Sequence, residues 1–157
     1  MADVAVVGGG LVGLLTGILL SRRDHQVLVV DSDPSDLSST VSLLEGAGYR
    51  VATASAFDEA KQLLATESPD LLITGLRLGP YNGLHLILRS RADHPDMAAI
   101  VMTHFSDPVL EAEAQRQQAG FLLRPVGDRE FLDAITRSLA ATAQTETVIE
   151  PGAAAHS

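Results

Sequence analysis

The 157-residue chain contains no cysteine and no tryptophan. Without cysteine there is no disulfide scaffold, thiolate zinc site, iron–sulfur cluster or cysteine nucleophile. Aromatic residues make up 4% of the chain, too few for the stacking platforms that hold single-stranded nucleic acids. Positive charge is scarce as well: 11 lysines and arginines stand against 20 aspartates and glutamates, a formal net charge of −9. Phosphate backbones repel such a chain, so nucleic acid is not an expected partner. The five histidines, at positions 25, 85, 94, 104 and 156, are not spaced as metal ligands. What is present is an ordinary globular composition, 46% hydrophobic and 20% charged. At this length it predicts one domain with a single core, with or without a short appendage.

Short apolar runs recur at 4–7, 27–30, 49–53, 71–74, 100–103 and 121–123. Most are continuous and rich in Val, Ile and Leu, which suits strands buried on both faces of a parallel sheet. Helical spacing fills the gaps. Leu37, Val41 and Leu44 form one stripe, stopped by Gly46 and Gly48. Ser55 and Asp58 read as a capping box before Ala60, Leu63 and Leu64. Leu84, Ile87 and Leu88 mark a third helix; Asp107-Pro108 opens a fourth, with Gly120 as its stop; Leu132, Ile135 and Leu139 stripe a fifth. The alternation predicts an α/β fold, an open parallel sheet with helices on both faces. From about Ala140 the pattern dissolves, and 140–157 reads as a flexible tail.

Ligands of open α/β sheets collect at the carboxyl ends of the strands. From residue 27 onward those ends carry Asp31-Ser32-Asp33, Gly75, Thr103-His104 and Arg124-Pro125. The stretches VLVVDSDP, PDLLITGLRLGPYNGLHLI, IVMTHFSD and FLLRPV together resemble the receiver domain of two-component response regulators, over about 25–139. The resemblance implies a flavodoxin-like sheet of order 2-1-3-4-5. It also implies a phosphorelay site: an acceptor aspartate after the third strand, an acidic pair holding Mg²⁺, a Thr or Ser, a Lys and a switch aromatic. On those positions stand Gly75, Asp31-Ser32, Thr103, Arg124 and Phe121. Glycine has no side chain to phosphorylate. One carboxylate of the pair is missing, Asp33 lies one residue too far along, and Arg keeps the charge of Lys on a planar head. The expectation is a pocket that takes no phosphoryl group and does not hold Mg²⁺ tightly, since that ion wants several oxygens in near-octahedral array. Each residue has a plainer alternative: Asp31 and Asp33 as helix cap and turn, Arg124 as a salt bridge to Asp31, Phe121 as a core aromatic, and His104 either filling the vacated pocket or solvated on a loop.

The first 24 residues make a separate claim. Gly8, Gly10 and Gly13 follow one apolar run and precede another that ends at Asp31, 18 residues after Gly13. This resembles the βαβ unit with which FAD- and NAD-dependent oxidoreductases bind an adenine dinucleotide, glycines at the pyrophosphate and Asp31 on a ribose hydroxyl. Residues 4–20 are also 17 uncharged residues, at the short limit of a membrane span. Gly9, Gly13 and Gly17 repeat at the spacing of packed membrane helices, and Arg22-Arg23 would then leave the remainder cytoplasmic. A third alternative is an additional N-terminal βα unit that binds nothing. Were 4–7 a strand inserted between 27–30 and 71–74, Asp31 and Gly75 would stand roughly 9.6 Å apart instead of roughly 4.8 Å.

The expected organisation is therefore 1–24 as a βα extension or hydrophobic segment, 25–139 as a receiver-like domain and 140–157 as a tail. The expected function is a non-enzymatic, cytoplasmic, phosphorylation-incompetent receiver acting by protein contact. The resemblance places the contact face at about 107–139, for a second copy or a separate signalling partner that carries the output. The alternatives are a dinucleotide-binding domain and a membrane-tethered receiver.

Overall fold

The computed structural model describes residues 25–156. Five parallel strands form the main sheet: β1 (Gln26–Val30), β2 (Arg50–Ala54), β3 (Leu71–Gly75), β6 (Ala98–Thr103) and β7 (Gly120–Leu123), in the order β2-β1-β3-β6-β7. A two-residue antiparallel ribbon, β4 (Arg77–Leu78) with β5 (Tyr81–Asn82), follows β3. Five helices connect these elements: α1 (Pro34–Gly46), α2 (Phe57–Thr66), α3 (Gly83–Asp93), α4 (Pro108–Arg116) and α5 (Asp128–His156).

The continuous apolar runs belong to the sheet centre. Every residue of β3 and β6 is buried, and so are the last four of β1. The edge strands β2 and β7 are only partly covered. Side chains alternate across the central strands. Leu28, Val30, Leu72, Ala99 and Val101 meet Phe57, Ala60, Leu64, Leu84, Leu86, Ile87 and Ala114 from α2, α3 and α4. Val27, Val29, Leu71, Ile73, Ile100 and Met102 meet Leu44, Phe131 and Ile135 from α1 and α5 on the other face. The sheet thus separates two apolar layers, and its carboxyl edge is left to polar residues.

Several expectations need correction. Val27–Val30 pair directly with Leu71–Thr74 in parallel register, so no strand lies between them, and Asp31 and position 75 stand on neighbouring strands. The remaining readings of 1–24, including the glycines at 8, 10 and 13, fall outside the described residues. The third helix buries Leu86 rather than Leu88, which is 56% exposed; both positions fit helical spacing, and it is the Leu86 side of α3 that joins the core. The N-cap of α2 is Ala56, without a side-chain bond, and Glu59 rather than Asp58 reaches back to the amide of Ser55. Gly120 does not stop α4 but begins β7. The stop is Gln118, at φ 57°, where the Ala119 amide bonds the Ala114 carbonyl and the Gln118 amide that of Gln115. That bonding pattern suits glycine at position 118. Finally, α5 does not end near Ala140 but continues as helix to His156. The stretch around Ala140–Ala143 is composed largely of alanine, the strongest helix former, so the apolar stripe fades without the helix ending.

Candidate functional site at the carboxyl edge of the sheet

Four strand ends place the site. Asp31 follows β1, Gly75 ends β3, Thr103 ends β6 and Arg124 follows β7. The strands are direct neighbours in the order β1-β3-β6-β7, so their ends share one edge. The Arg124 amide bonds the Thr103 carbonyl at 2.7 Å, and the Arg124–Pro125 peptide is cis.

Asp31 is 7% exposed. Its Oδ1 accepts the Asp33 amide at 2.9 Å, and its Oδ2 lies 3.5 Å from Arg124 Nη2. Burial pushes its carboxyl above the ordinary range; the Asp33 amide and the Arg124 charge oppose that shift, while the charges of Asp36 and Asp33 add to it. Gly75 faces this carboxylate directly: a Cβ at residue 75 would lie 3.3 Å from Cγ and from both oxygens of Asp31. The wall behind is tight, because a Cβ on Gly83 would stand 2.2 Å from the Gly75 carbonyl oxygen.

The other acids are committed elsewhere. Asp33 caps α1, its Oδ1 accepting from the amides of Ser35 and Asp36 at 2.8 and 3.0 Å. The helix-cap alternative therefore describes Asp33, and the salt-bridge alternative describes Asp31 with Arg124. Ser32 points away and donates to the Arg77 carbonyl at 3.1 Å. Thr103 Oγ1 accepts the Phe105 amide at 3.2 Å. Phe121 lies opposite Val101 in β7 and packs on the α2–α3–α4 side of the core.

Two residues here escaped the sequence reading. Arg124 Nη2 donates to Thr40 Oγ1 at 3.1 Å, and Arg124 Nε is 3.8 Å from Asp36 Oδ2. The same Asp36 oxygen bonds His104 Nε2 at 2.8 Å. Asp36 and Thr40 are four residues apart, hence on one face of α1; that spacing was the available signal. Around them lies a cleft of about 220 Å³ bounded by Ser39, Met102, His104, Arg124, Val126 and Phe131 among others. The donor set does not suit Mg²⁺: residue 75 offers no side chain, Asp33 is spent on its cap, and a guanidinium stands against Asp31. Among the described residues no group of three His, Cys, Asp or Glu side chains is placed to hold a metal ion. Among them, too, no helix is long and apolar enough to cross a membrane.

Comparison with known proteins agrees with this architecture. The model of the response regulator receiver domain matches residues 27–136. The chain is 33% identical over 129 residues to the transcriptional regulatory protein GlrR of Escherichia coli, covering 78% of this chain and 29% of that protein. It is 31% identical over 122 residues to the alginate biosynthesis transcriptional regulatory protein AlgB of Pseudomonas aeruginosa, covering 76% and 27%. The match thus spans less than a third of these relatives. Among solved structures, the signal receiver domain of an HD domain-containing protein from Pseudomonas fluorescens superposes with a TM-score of 0.71 at 29% identity, covering 76% of this chain and 98% of that one. The NtrC4 receiver domain, solved as a beryllofluoride-activated dimer, gives 0.70 at 26% identity, covering 74% and 98%. The chain belongs to the response regulator receiver domain family, whose receiver domains are signalling modules.

Proposed function

We propose that the chain is a receiver that takes no phosphoryl group at the end of β3 and signals by contact alone. One observation carries this reading: the residue facing the buried carboxylate of Asp31 from β3 is Gly75, which has no side chain. Aspartyl phosphate needs a carboxylate oxygen as nucleophile, and none is offered there. The nearest one, on Asp31, is buried and shared between the Asp33 amide and Arg124.

A module of this kind acts through its surface. Val109 on α4 and Leu123 on β7 are 74% and 47% exposed, with Phe105 just before α4 at 69%. These apolar side chains belong to or border the α4–β7–α5 face at 107–139. The dimer of the related NtrC4 receiver supports a second copy as one partner for that face; a separate signalling protein is the other.

Incubation with acetyl phosphate and Mg²⁺, followed by intact mass measurement, tests the proposal. The native chain should gain no phosphoryl adduct while a receiver with an acceptor aspartate, treated in parallel, gains one. A single adduct on the native chain overturns it.

A further inference from the structure

We propose that Arg124 is the resident cation of the carboxyl-edge pocket: its guanidinium takes the place of a divalent metal and closes the site to one. The inference rests on the receiver reading above but concerns a different residue.

The geometry is that of a cation site already filled. The oxygens of Asp31, from the end of β1, and of Asp36, from the first turn of α1, converge on one guanidinium at 3.5 and 3.8 Å. Thr40 Oγ1 accepts from Nη2 at 3.1 Å. The head is well covered, with the Arg124 side chain 12% exposed. The planar guanidinium spreads its N–H donors over separate nitrogens in a fixed fork, whereas a lysine ammonium carries all of its donors on one rotating nitrogen. Coverage weakens solvent screening, so the two carboxylates and the guanidinium neutralise one another where water cannot. A free divalent ion entering here would meet a fixed positive charge a few ångströms away and find Asp33 turned to its cap.

The backbone reinforces the arrangement. Arg124 is tied to β6 through its amide on the Thr103 carbonyl, and the Asp36 oxygen that faces it is also held by His104. A covalently attached cation is present in every molecule. The carboxyl edge is then held in one arrangement whatever the metal concentration outside.

The test is a Mn²⁺ titration of the full chain, read by paramagnetic broadening of backbone amides. Native protein should show no selective broadening at Asp31, Asp36 or Arg124. In Arg124→Met the two carboxylates lose their cation, and selective broadening at Asp31 and Asp36 should appear at Mn²⁺ concentrations at least about tenfold below the highest at which native protein stays unbroadened. Arg124→Gln, which retains a long polar side chain, should behave alike and serves if the methionine variant does not fold. Selective broadening of the native chain overturns the inference, and so does a neutral variant as insensitive as native protein. The acetyl phosphate experiment bears on Gly75 and not on Arg124, so the two ideas fail separately.

Discussion

Gly83→Ala puts one methyl group against the underside of the site, and its cost can be worked from the coordinates. The new Cβ would lie 2.2 Å from the Gly75 carbonyl oxygen, 2.8 Å from Thr74 Oγ1 and 3.0 Å from Thr74 Cγ2. Close carbon–oxygen contacts stop at about 3.3 Å, so one atom must move by about 1 Å. The obstacle is backbone of the central strand β3, which bonds β1 on one side and β6 on the other. Residue 83 cannot retreat easily either, because its amide bonds the Leu76 carbonyl at 2.7 Å. Overpacking of this kind costs about 1–3 kcal/mol; Gly83 is the first residue of α3, so only part of the gain of up to ~1 kcal/mol that alanine brings over glycine in a helix interior offsets it. With backbone on both sides the upper half applies, a net loss of about 2 kcal/mol. At roughly 4 °C per kcal/mol, Tm should fall by about 8 °C. Urea and thermal melts followed by far-UV circular dichroism measure it. Gly46→Ala, at the end of α1 with nothing within 4 Å of the new methyl, is the control and should stay near native stability. A Gly83→Ala chain as stable as native protein refutes the packing argument.

Two further outcomes follow from single residues. Gln118 holds a left-handed conformation at the end of α4 with its side chain exposed; Gln118→Gly relieves strain of about 1–2 kcal/mol and loosens the unfolded chain by roughly half of that. A urea midpoint that rises is expected, and one that falls contradicts the reading of the turn. Asp31 holds its proton more tightly folded than unfolded, because burial lifts its carboxyl above the ordinary 3.8. Its contribution therefore favours the fold most below that value and is lost as pH rises through the folded value. Asp31→Asn should flatten this part of the stability–pH curve in acid; parallel curves for the two proteins would show that the group titrates alike in both states.

The sheet was legible because its signal is redundant. Three central strands are apolar over most of their length, and each is followed by a turn and a helical stripe, so the βα rhythm survives an error in any one element. The site was legible only where it lies on strand ends, since an apolar run fixes its own last residue: Asp31, Gly75, Thr103 and Arg124 were all in view. Asp36 and Thr40 were not, because they lie inside a helix. There an acid in the first turn already has a sufficient local reason, the helix dipole, and a threonine carries no signal of its own. Which face of α1 turns to β7 depends on how Leu44 seats against Val27, Val29 and Leu71, a tertiary fact absent from local spacing. The same limit explains Leu86 against Leu88. It also bears on what the site is. Read position by position, the resemblance to receivers puts glycine at 75, serine at 32 and arginine at 124 where it implies an aspartate, an acid and a lysine. In three dimensions these positions are not independent. With no side chain at 75, nothing from β3 reaches Asp31, and the carboxylate left facing that gap is the one that Arg124 meets. A lysine would present its charge from one nitrogen, whereas the forked head of arginine meets Asp31 and Thr40 through Nη2 and Asp36 through Nε. On the proposal made above, the glycine and the arginine act as a pair, with a fixed internal charge standing where an exchangeable ligand set would otherwise be needed.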